Sequence, residues 1–171
     1  MTAATTVLLS ETEIAACVER VAQALAPRLK PDCVGICLLT GGLWFTADLT
    51  RALARLGVDL SFDALWLSSY GDGRESGELL LRADLQRPVQ GRQVLLMDDV
   101  LDTGASLKFA RDHVLRAEAS EVIIAVMAQK PVARSIEADV VGWEAPLRYL
   151  VGYGLDDGAR MRGLPYIGAL D

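Results

Sequence analysis

The feature of this sequence that most restricts its fold is a repeated alternation of short apolar runs with helix-like segments. Residues 34–39 are apolar, residues 40–42 form a glycine-rich break, and residues 44–56 have helical periodicity. The same order returns over residues 94–115, and residues 122–127 are again apolar and β-branched. Strands that alternate with helices indicate an α/β fold with a mostly parallel sheet flanked by helices.

The remaining elements are short, and turn signals separate them. Ser10 and Glu13 have the spacing of a capping box, which predicts a helix that ends near Pro27. Residues 70–78 are polar and glycine-rich, so we expect an exposed, mobile loop there. Further strands are predicted at residues 62–68, 79–85, 140–143 and 149–151.

Composition restricts the class of partner. A chain of 171 residues has the size of one domain, and its formal net charge of −6 argues against a nucleic-acid or anionic-membrane surface. A small anionic ligand remains compatible, because backbone amides and a metal ion can hold it locally. The three cysteines are expected to be buried free thiols, and with no secretory signal or apolar membrane span they suggest a cytoplasmic protein.

The segment of residues 94–107, VLLMDDVLDTGASL, carries the clearest chemical signal. A short strand is predicted at residues 94–97, with Asp98 and Asp99 at its carboxyl end, and residues 102–106 make a turn of small residues into a helix. Such a turn presents unpaired N–H groups to a phosphate, whereas carboxylates suit hydroxyls, a metal ion or a proton. The sequence therefore predicts a sugar-phosphate site in the crevice beyond the strand ends.

At these residues the chain resembles the type I phosphoribosyltransferases, and within them the hypoxanthine–guanine branch. Residues 94–107 match the family motif for phosphoribosyl pyrophosphate (PRPP). The branch is indicated by LLTGGLWFTADL, SSYGDGRESG, AQKP, YLVGYGLD and LPYIG, which occur in the family's order at residues 38–49, 68–77, 128–131, 149–156 and 164–168. The resemblance implies one domain, with a core of residues 34–142 and a small hood formed by residues 1–30 and 143–171.

The resemblance also implies a role for each motif residue. Asp102 corresponds to the general base that takes the purine N7 proton as N9 attacks C1 of the sugar. The ribose and its 5′-phosphate would be held by Asp98, Asp99, Thr103, Gly104, Ala105 and Ser106. Pyrophosphate would be held by Arg162 and by the turn of Thr40, Gly41 and Gly42, a loop that often contains a non-proline cis peptide in this family.

Three further groups of residues follow from the same resemblance. Mg²⁺ is the implied cofactor, with Asp98, Asp99 and Asp156 as its metal-site acids. Lys130, Tyr149 and Leu150 would bind the purine, with Lys130 donating to the 6-oxo group. Ser69 and Tyr70 head the loop that would close over the transition state.

The implied activity is purine salvage: PRPP and hypoxanthine or guanine would give IMP or GMP and pyrophosphate. Two alternatives stay open, a regulatory protein that senses PRPP or a nucleotide, and an enzyme for xanthine or another base. Thr40 stands where many relatives have Lys, and His113 is interpreted as a surface or structural residue. Family resemblance suggests a homodimer or homotetramer.

Overall fold

A computed structural model describes residues 5–69 and 79–170. The predicted loop at residues 70–78 therefore lies outside the described residues. The helices are α1 (Glu11–Leu25), α2 (Leu43–Arg55) and α3 (Ala105–Arg116), with a 3₁₀ turn at Ala26–Arg28. The strands are β1 (Thr5–Leu9), β2 (Val34–Leu39), β3 (Ser61–Ser69), β4 (Leu79–Ala83), β5 (Gln93–Leu101), β6 (Glu121–Gln129), β7 (Val140–Glu144), β8 (Leu150–Val151) and β9 (Ile167–Leu170).

The main sheet has six strands in the order β4-β3-β2-β5-β6-β7. All neighbours pair in parallel except β4, which is the antiparallel edge strand. Helices α1 and α2 pack on one face, and α3 packs on the other. The predicted α/β class with a mostly parallel, helix-flanked sheet is confirmed.

Strand β5 shows why the central strands are apolar on both faces. Leu95 and Met97 pack against the side of α1 and α2, while Val94 and Leu96 pack against the side of α3. All four side chains are fully buried. A strand enclosed by two helical layers needs a continuous apolar run, and this is the pattern that predicted it.

The predicted end of this strand at residue 97 was wrong. Strand β5 continues through Asp98 and Asp99 to Leu101. Its pairing with β2 stops at Met97, but its pairing with β6 continues as far as Gln129. The backbone therefore stays extended past the last apolar residue, because one parallel neighbour is sufficient to hold it.

The two ends of the described chain meet in a second, antiparallel sheet of three strands, β1-β9-β8. Strands β1 and β9 were not predicted, because each is short and lacks clear alternation. Helix α1 begins at the predicted capping box, in which the Ser10 and Glu13 side chains bond each other's backbone N–H. Within the described residues, no helix combines the length and hydrophobicity needed to cross a membrane.

Candidate active site

Asp98 and Asp99 lie where β5 loses one of its two neighbours. Strand β2 pairs with β5 as far as Met97 and then turns away. The carboxylate of Asp98 accepts the backbone N–H of Asp99 at 2.9 Å, and that of Asp99 accepts the N–H of Val100 at 2.7 Å. Both acids therefore lie within β5, past the last residue that pairs with β2, and they line a crevice at this edge of the sheet.

The Gly41–Gly42 turn packs directly against these two acids. A Cβ atom on Gly41 would lie 2.0 Å from Asp99 Oδ2, and one on Gly42 would lie 2.6 Å from the carbonyl oxygen of Leu38 and 3.2 Å from Asp98 Cα. At Gly42 the obstructing atoms belong to the backbone, so only glycine fits there, whereas at Gly41 they belong to the Asp99 carboxylate. The peptide bond between Leu39 and Thr40 is cis, the feature that the family resemblance implies for this loop.

The electrostatic environment of the pair is unfavourable for two charges. Burial and the charge of Asp99 raise the pKa of the Asp98 carboxyl well above its usual value. Burial also raises the pKa of Asp99, although its bond with Asp98 and the nearby Arg162 oppose this. Across residues 5–69 and 79–170, no Lys or Arg forms an ion pair with either acid.

The turn that follows β5 presents the N-terminus of α3. Gly104 has φ +83°, and a Cβ there would lie 2.7 Å from Ile136 Cγ2, so both its conformation and its packing require glycine. No side chain caps the helix. The first N–H groups of α3 and the hydroxyls of Thr103 and Ser106 are therefore placed for an anionic ligand.

Among the described residues, Asp102 is the one acid of the motif that forms an ion pair with a cationic side chain. Lys130 Nζ donates to Asp102 Oδ2 at 2.9 Å, and the Lys130 backbone N–H donates to the Leu101 carbonyl at 3.0 Å. The Lys130 side chain is 16% exposed and that of Asp102 is 46% exposed. The structure thus brings together the predicted base and the predicted purine-binding lysine, a pairing that sequence reasoning did not anticipate.

Arg162 reaches the site from the C-terminal segment. Its guanidinium donates to the Gly154 carbonyl and pairs with Asp156 at 2.8 Å. The other Asp156 oxygen accepts the Ala159 N–H at 2.6 Å. Asp156 is therefore engaged with Arg162, and the described residues hold no cluster of three acids that would join it to Asp98 and Asp99.

One cavity of about 290 Å³ gathers most of the predicted residues. Thr40 lies on a neighbouring cavity of about 370 Å³, which also reaches Ser106 and Arg162. The first cavity is lined by Gly41, Asp98, Asp99, Asp102, Thr103, Gly104, Ala105, Ser106 and Arg162, with apolar residues at its base.

The predicted purine residues Tyr149 and Leu150 do not line this cavity. Tyr149, just before β8, is 54% exposed and its hydroxyl donates to the Asp156 carbonyl at 3.2 Å, whereas Leu150 is buried in β8. Ser69 is the last residue of β3, and Tyr70 lies outside the described residues.

The donor set of the crevice fits Mg²⁺. This ion binds through one or two carboxylates together with water and substrate phosphate oxygens, and it needs no cage built by the protein alone. Asp98 and Asp99 provide two adjacent carboxylates, and within residues 5–69 and 79–170 neither forms an ion pair with a Lys or Arg.

Comparison with known proteins identifies the family. The sequence profile of the phosphoribosyl transferase domain matches residues 8–142. The hypoxanthine-guanine phosphoribosyltransferase of Bacillus subtilis (strain 168) is 36% identical over 170 residues, which cover 96% of this chain and 92% of the relative. The chain belongs to the hypoxanthine–guanine phosphoribosyltransferase family.

Solved structures of this family share the fold. A hypoxanthine phosphoribosyltransferase from Staphylococcus aureus superposes with a TM-score of 0.89 at 33% identity, covering 97% of this chain and 91% of that one. The hypoxanthine phosphoribosyl transferase of Trypanosoma cruzi superposes with a TM-score of 0.91 at 30% identity, covering 100% of this chain and 93% of that one. The bifunctional protein TilS/HprT of Listeria innocua is 38% identical over 96% of this chain, which spans about a quarter (26%) of that longer relative.

The sequence did not predict that residues 152–154 contribute to the packing of the site. Gly152, Tyr153 and Gly154 all have positive φ, at +91°, +49° and +101°. A Cβ on Gly154 would lie 2.2 Å from the Gly41 carbonyl oxygen, so this segment packs directly against the turn of residues 40–42. The Gly-Tyr-Gly run is visible in the sequence, but the sequence does not indicate that it contacts the turn of residues 40–42.

The raised pKa of Asp98 predicts a conflict between stability and binding. A carboxyl whose pKa is raised in the folded state lowers the free energy of unfolding once the pH exceeds the pKa of the same group in the unfolded chain. This loss of stability is complete above the folded-state pKa. We expect Asp98→Asn to increase the free energy of unfolding at pH 7 in metal-free buffer, with the difference vanishing as pH falls below the unfolded pKa. Urea denaturation at a series of pH values measures this.

Asp112→Asn is the matched control, because a hydrogen bond from Lys108 lowers the pKa of this surface carboxyl. Its effect should have the opposite sign, a loss of stability that disappears in acid. An Asp98→Asn protein that is less stable than the wild type at pH 7 would contradict the electrostatic description of the crevice.

Proposed function

We propose that this protein transfers the 5-phosphoribosyl group of PRPP to N9 of hypoxanthine or guanine, releasing pyrophosphate and forming IMP or GMP. The observation that carries the proposal is one crevice that combines paired carboxylates with an uncapped helix N-terminus. Curated relatives named hypoxanthine-guanine phosphoribosyltransferase that align along almost the whole chain support the same reaction.

The sugar phosphate would lie across the end of β5. The N–H groups at the start of α3, with Thr103 and Ser106, would bind the 5′-phosphate, since a helix N-terminus favours an anion. Asp98 and Asp99 would accept hydrogen bonds from the ribose hydroxyls. These two acids would also hold Mg²⁺, which when bound neutralises charge on the pyrophosphate group.

Asp102 would accept the proton from purine N7 as N9 attacks the sugar. Its Oδ2 is bonded to Lys130, and its Oδ1 has no hydrogen-bond partner among residues 5–69 and 79–170. One oxygen is thus anchored while the other remains available as a base. Lys130 would exchange part of this bond for the 6-oxo group of the purine, which links recognition of the base to proton transfer.

The leaving group would lie between Arg162 and the turn of residues 40–42. Arg162 provides the positive charge, and the turn provides backbone groups at close range to Asp99. The uncharged Thr40 adds no cation, so Arg162 carries a larger share of pyrophosphate binding than in relatives with a lysine there.

The purine itself would be held by side chains at the edge of the site. The exposed Tyr149 ring would stack on the base, and the backbone of Leu150 would meet its edge. Ser69 and Tyr70 would close over the reacting groups and exclude water, which otherwise hydrolyses the activated sugar.

The alternative to an enzyme is a non-catalytic regulatory protein with the same fold that senses PRPP. Such a protein needs to bind PRPP but needs no base in reach of a purine. The anchored Asp102 carboxylate beside Lys130 favours the enzyme. An enzyme for xanthine would differ only where the base edge meets Leu150.

A coupled assay with PRPP, Mg²⁺ and each of hypoxanthine, guanine, xanthine, adenine and uracil tests the proposal. We expect turnover with hypoxanthine, guanine or both, and none with adenine or uracil. PRPP binding without turnover of any base would support the regulatory alternative. Turnover of xanthine alone would show that the enzyme acts on xanthine and not on hypoxanthine or guanine.

Asp102→Asn separates catalysis from binding. Because the variant keeps its shape but loses the base, kcat should fall by roughly 100-fold or more while PRPP affinity stays near the wild-type value. Asp112→Asn on the outer face of α3 is the control and should leave kcat unchanged. Collapse of PRPP affinity in Asp102→Asn would show that Asp102 is a binding residue.

We also propose a cytoplasmic homodimer or homotetramer, with a core of residues 34–142 and a hood of terminal segments. Phe62, Trp66 and Leu80 are between 42% and 46% exposed on the face of β3 and β4 beyond α2, and such an apolar patch favours association. Light scattering that gives a monomeric mass at micromolar concentration would contradict this assembly.

A further inference from the structure

Gly154 contacts both parts of the proposed pyrophosphate subsite, Arg162 and the turn of residues 40–42. Its N–H donates to the Arg162 carbonyl at 2.9 Å, and its own carbonyl accepts from the Arg162 guanidinium. Its α-carbon lies against the Gly41 carbonyl. Any movement of Gly154 therefore displaces Arg162 and the loop of residues 40–42 relative to each other.

The residue before it, Tyr153, holds this segment in an unusual conformation. Tyr153 has φ +49°, a left-handed value that costs a non-glycine residue about 1 kcal/mol or more, so the surroundings must compensate. Its side chain is only 6% exposed, and its N–H donates to the Leu164 carbonyl at 2.9 Å.

The compensating contact is a hydrogen bond to α2. The Tyr153 hydroxyl donates to Asp48 Oδ2 at 2.7 Å, and the other Asp48 oxygen accepts from Arg51, also at 2.7 Å. Burial and the neighbouring Asp48 carboxylate raise the pKa of Tyr153, which keeps the hydroxyl protonated as a donor. Helix α2 starts directly after Gly42, so its position and that of the loop are coupled.

We propose that Tyr153 and Asp48 are positioning residues for the pyrophosphate subsite. Their hydrogen bond ties the C-terminal segment to α2 and thereby sets the spacing between Arg162 and the turn of residues 40–42. Neither side chain lines the cavity formed by Asp98, Asp99 and Asp102, so both would act through the backbone of Gly154. This inference rests on the proposed phosphoribosyl transfer.

The test is Tyr153→Phe, which removes the hydroxyl and keeps the ring. Loss of one buried hydrogen bond to a charged acceptor should raise KM about five-fold for PRPP, and equally for pyrophosphate in the reverse reaction with IMP. KM for hypoxanthine should not change. Asp48→Ala should reproduce this pattern, and Asp48→Asn, which keeps an oxygen acceptor, should restore the wild-type KM for PRPP.

Tyr166→Phe is the matched control, because the Tyr166 hydroxyl contacts Thr5 at 3.2 Å in the small terminal sheet. It should leave all KM values unchanged, although its thermal midpoint can fall as much as that of Tyr153→Phe. A Tyr153→Phe enzyme with unchanged KM for PRPP, or with an equal rise for hypoxanthine, would overturn the inference. If Tyr153→Phe does not fold, the contrast between Asp48→Ala and Asp48→Asn decides.

The same measurements separate this inference from the proposed function. A wild-type protein that turns over no base rejects both. A wild-type enzyme that is active, with KM for PRPP identical in Tyr153→Phe, Asp48→Ala and Tyr166→Phe, rejects only the positioning role.

Discussion

The constraint on which the site depends is the pair of carboxylates at Asp98 and Asp99, which lie side by side and, among the described residues, form no ion pair with a Lys or Arg. The sheet makes this possible because β5 remains bonded to β6 after β2 has turned away. The fully buried residues before the pair anchor the strand, so the acids cannot move apart to relieve their repulsion. The crevice is therefore prepared for a ligand that brings positive charge or hydroxyl donors.

The other charges of the site are already paired within the protein. Lys130 is bonded to Asp102, and Arg162 to Asp156. Both pairs involve residues that the substrate would contact under the proposed function, so substrate binding would exchange existing ion pairs for new ones. Such exchange would favour a ligand with matching groups at each position, and among the described residues it leaves Asp98 and Asp99 without an ion pair to a Lys or Arg.

Local sequence predicted what depends on local physics. The apolar runs located the central strands, the capping box located α1, and glycines with small residues located the turn before α3. Family resemblance added the roles of single residues. Neither source gave the contacts between distant segments, such as Tyr153 with Asp48 or Lys130 with Asp102, because a hydrogen bond across 105 or 28 residues leaves no periodic pattern. Strand β5 was predicted too short for a similar reason, since its last residues are held by pairing with β6.

The claim that the acid pair forms a binding site for PRPP together with Mg²⁺ can be tested by titration calorimetry. PRPP is titrated into the protein with Mg²⁺ and again in the presence of EDTA. We expect tight binding with Mg²⁺ and an affinity lower by roughly 100-fold or more without it, because the ligand's own negative charge then meets the acid pair with no metal cation between them. Equal affinity in both buffers would show that the acid pair does not bind PRPP through Mg²⁺.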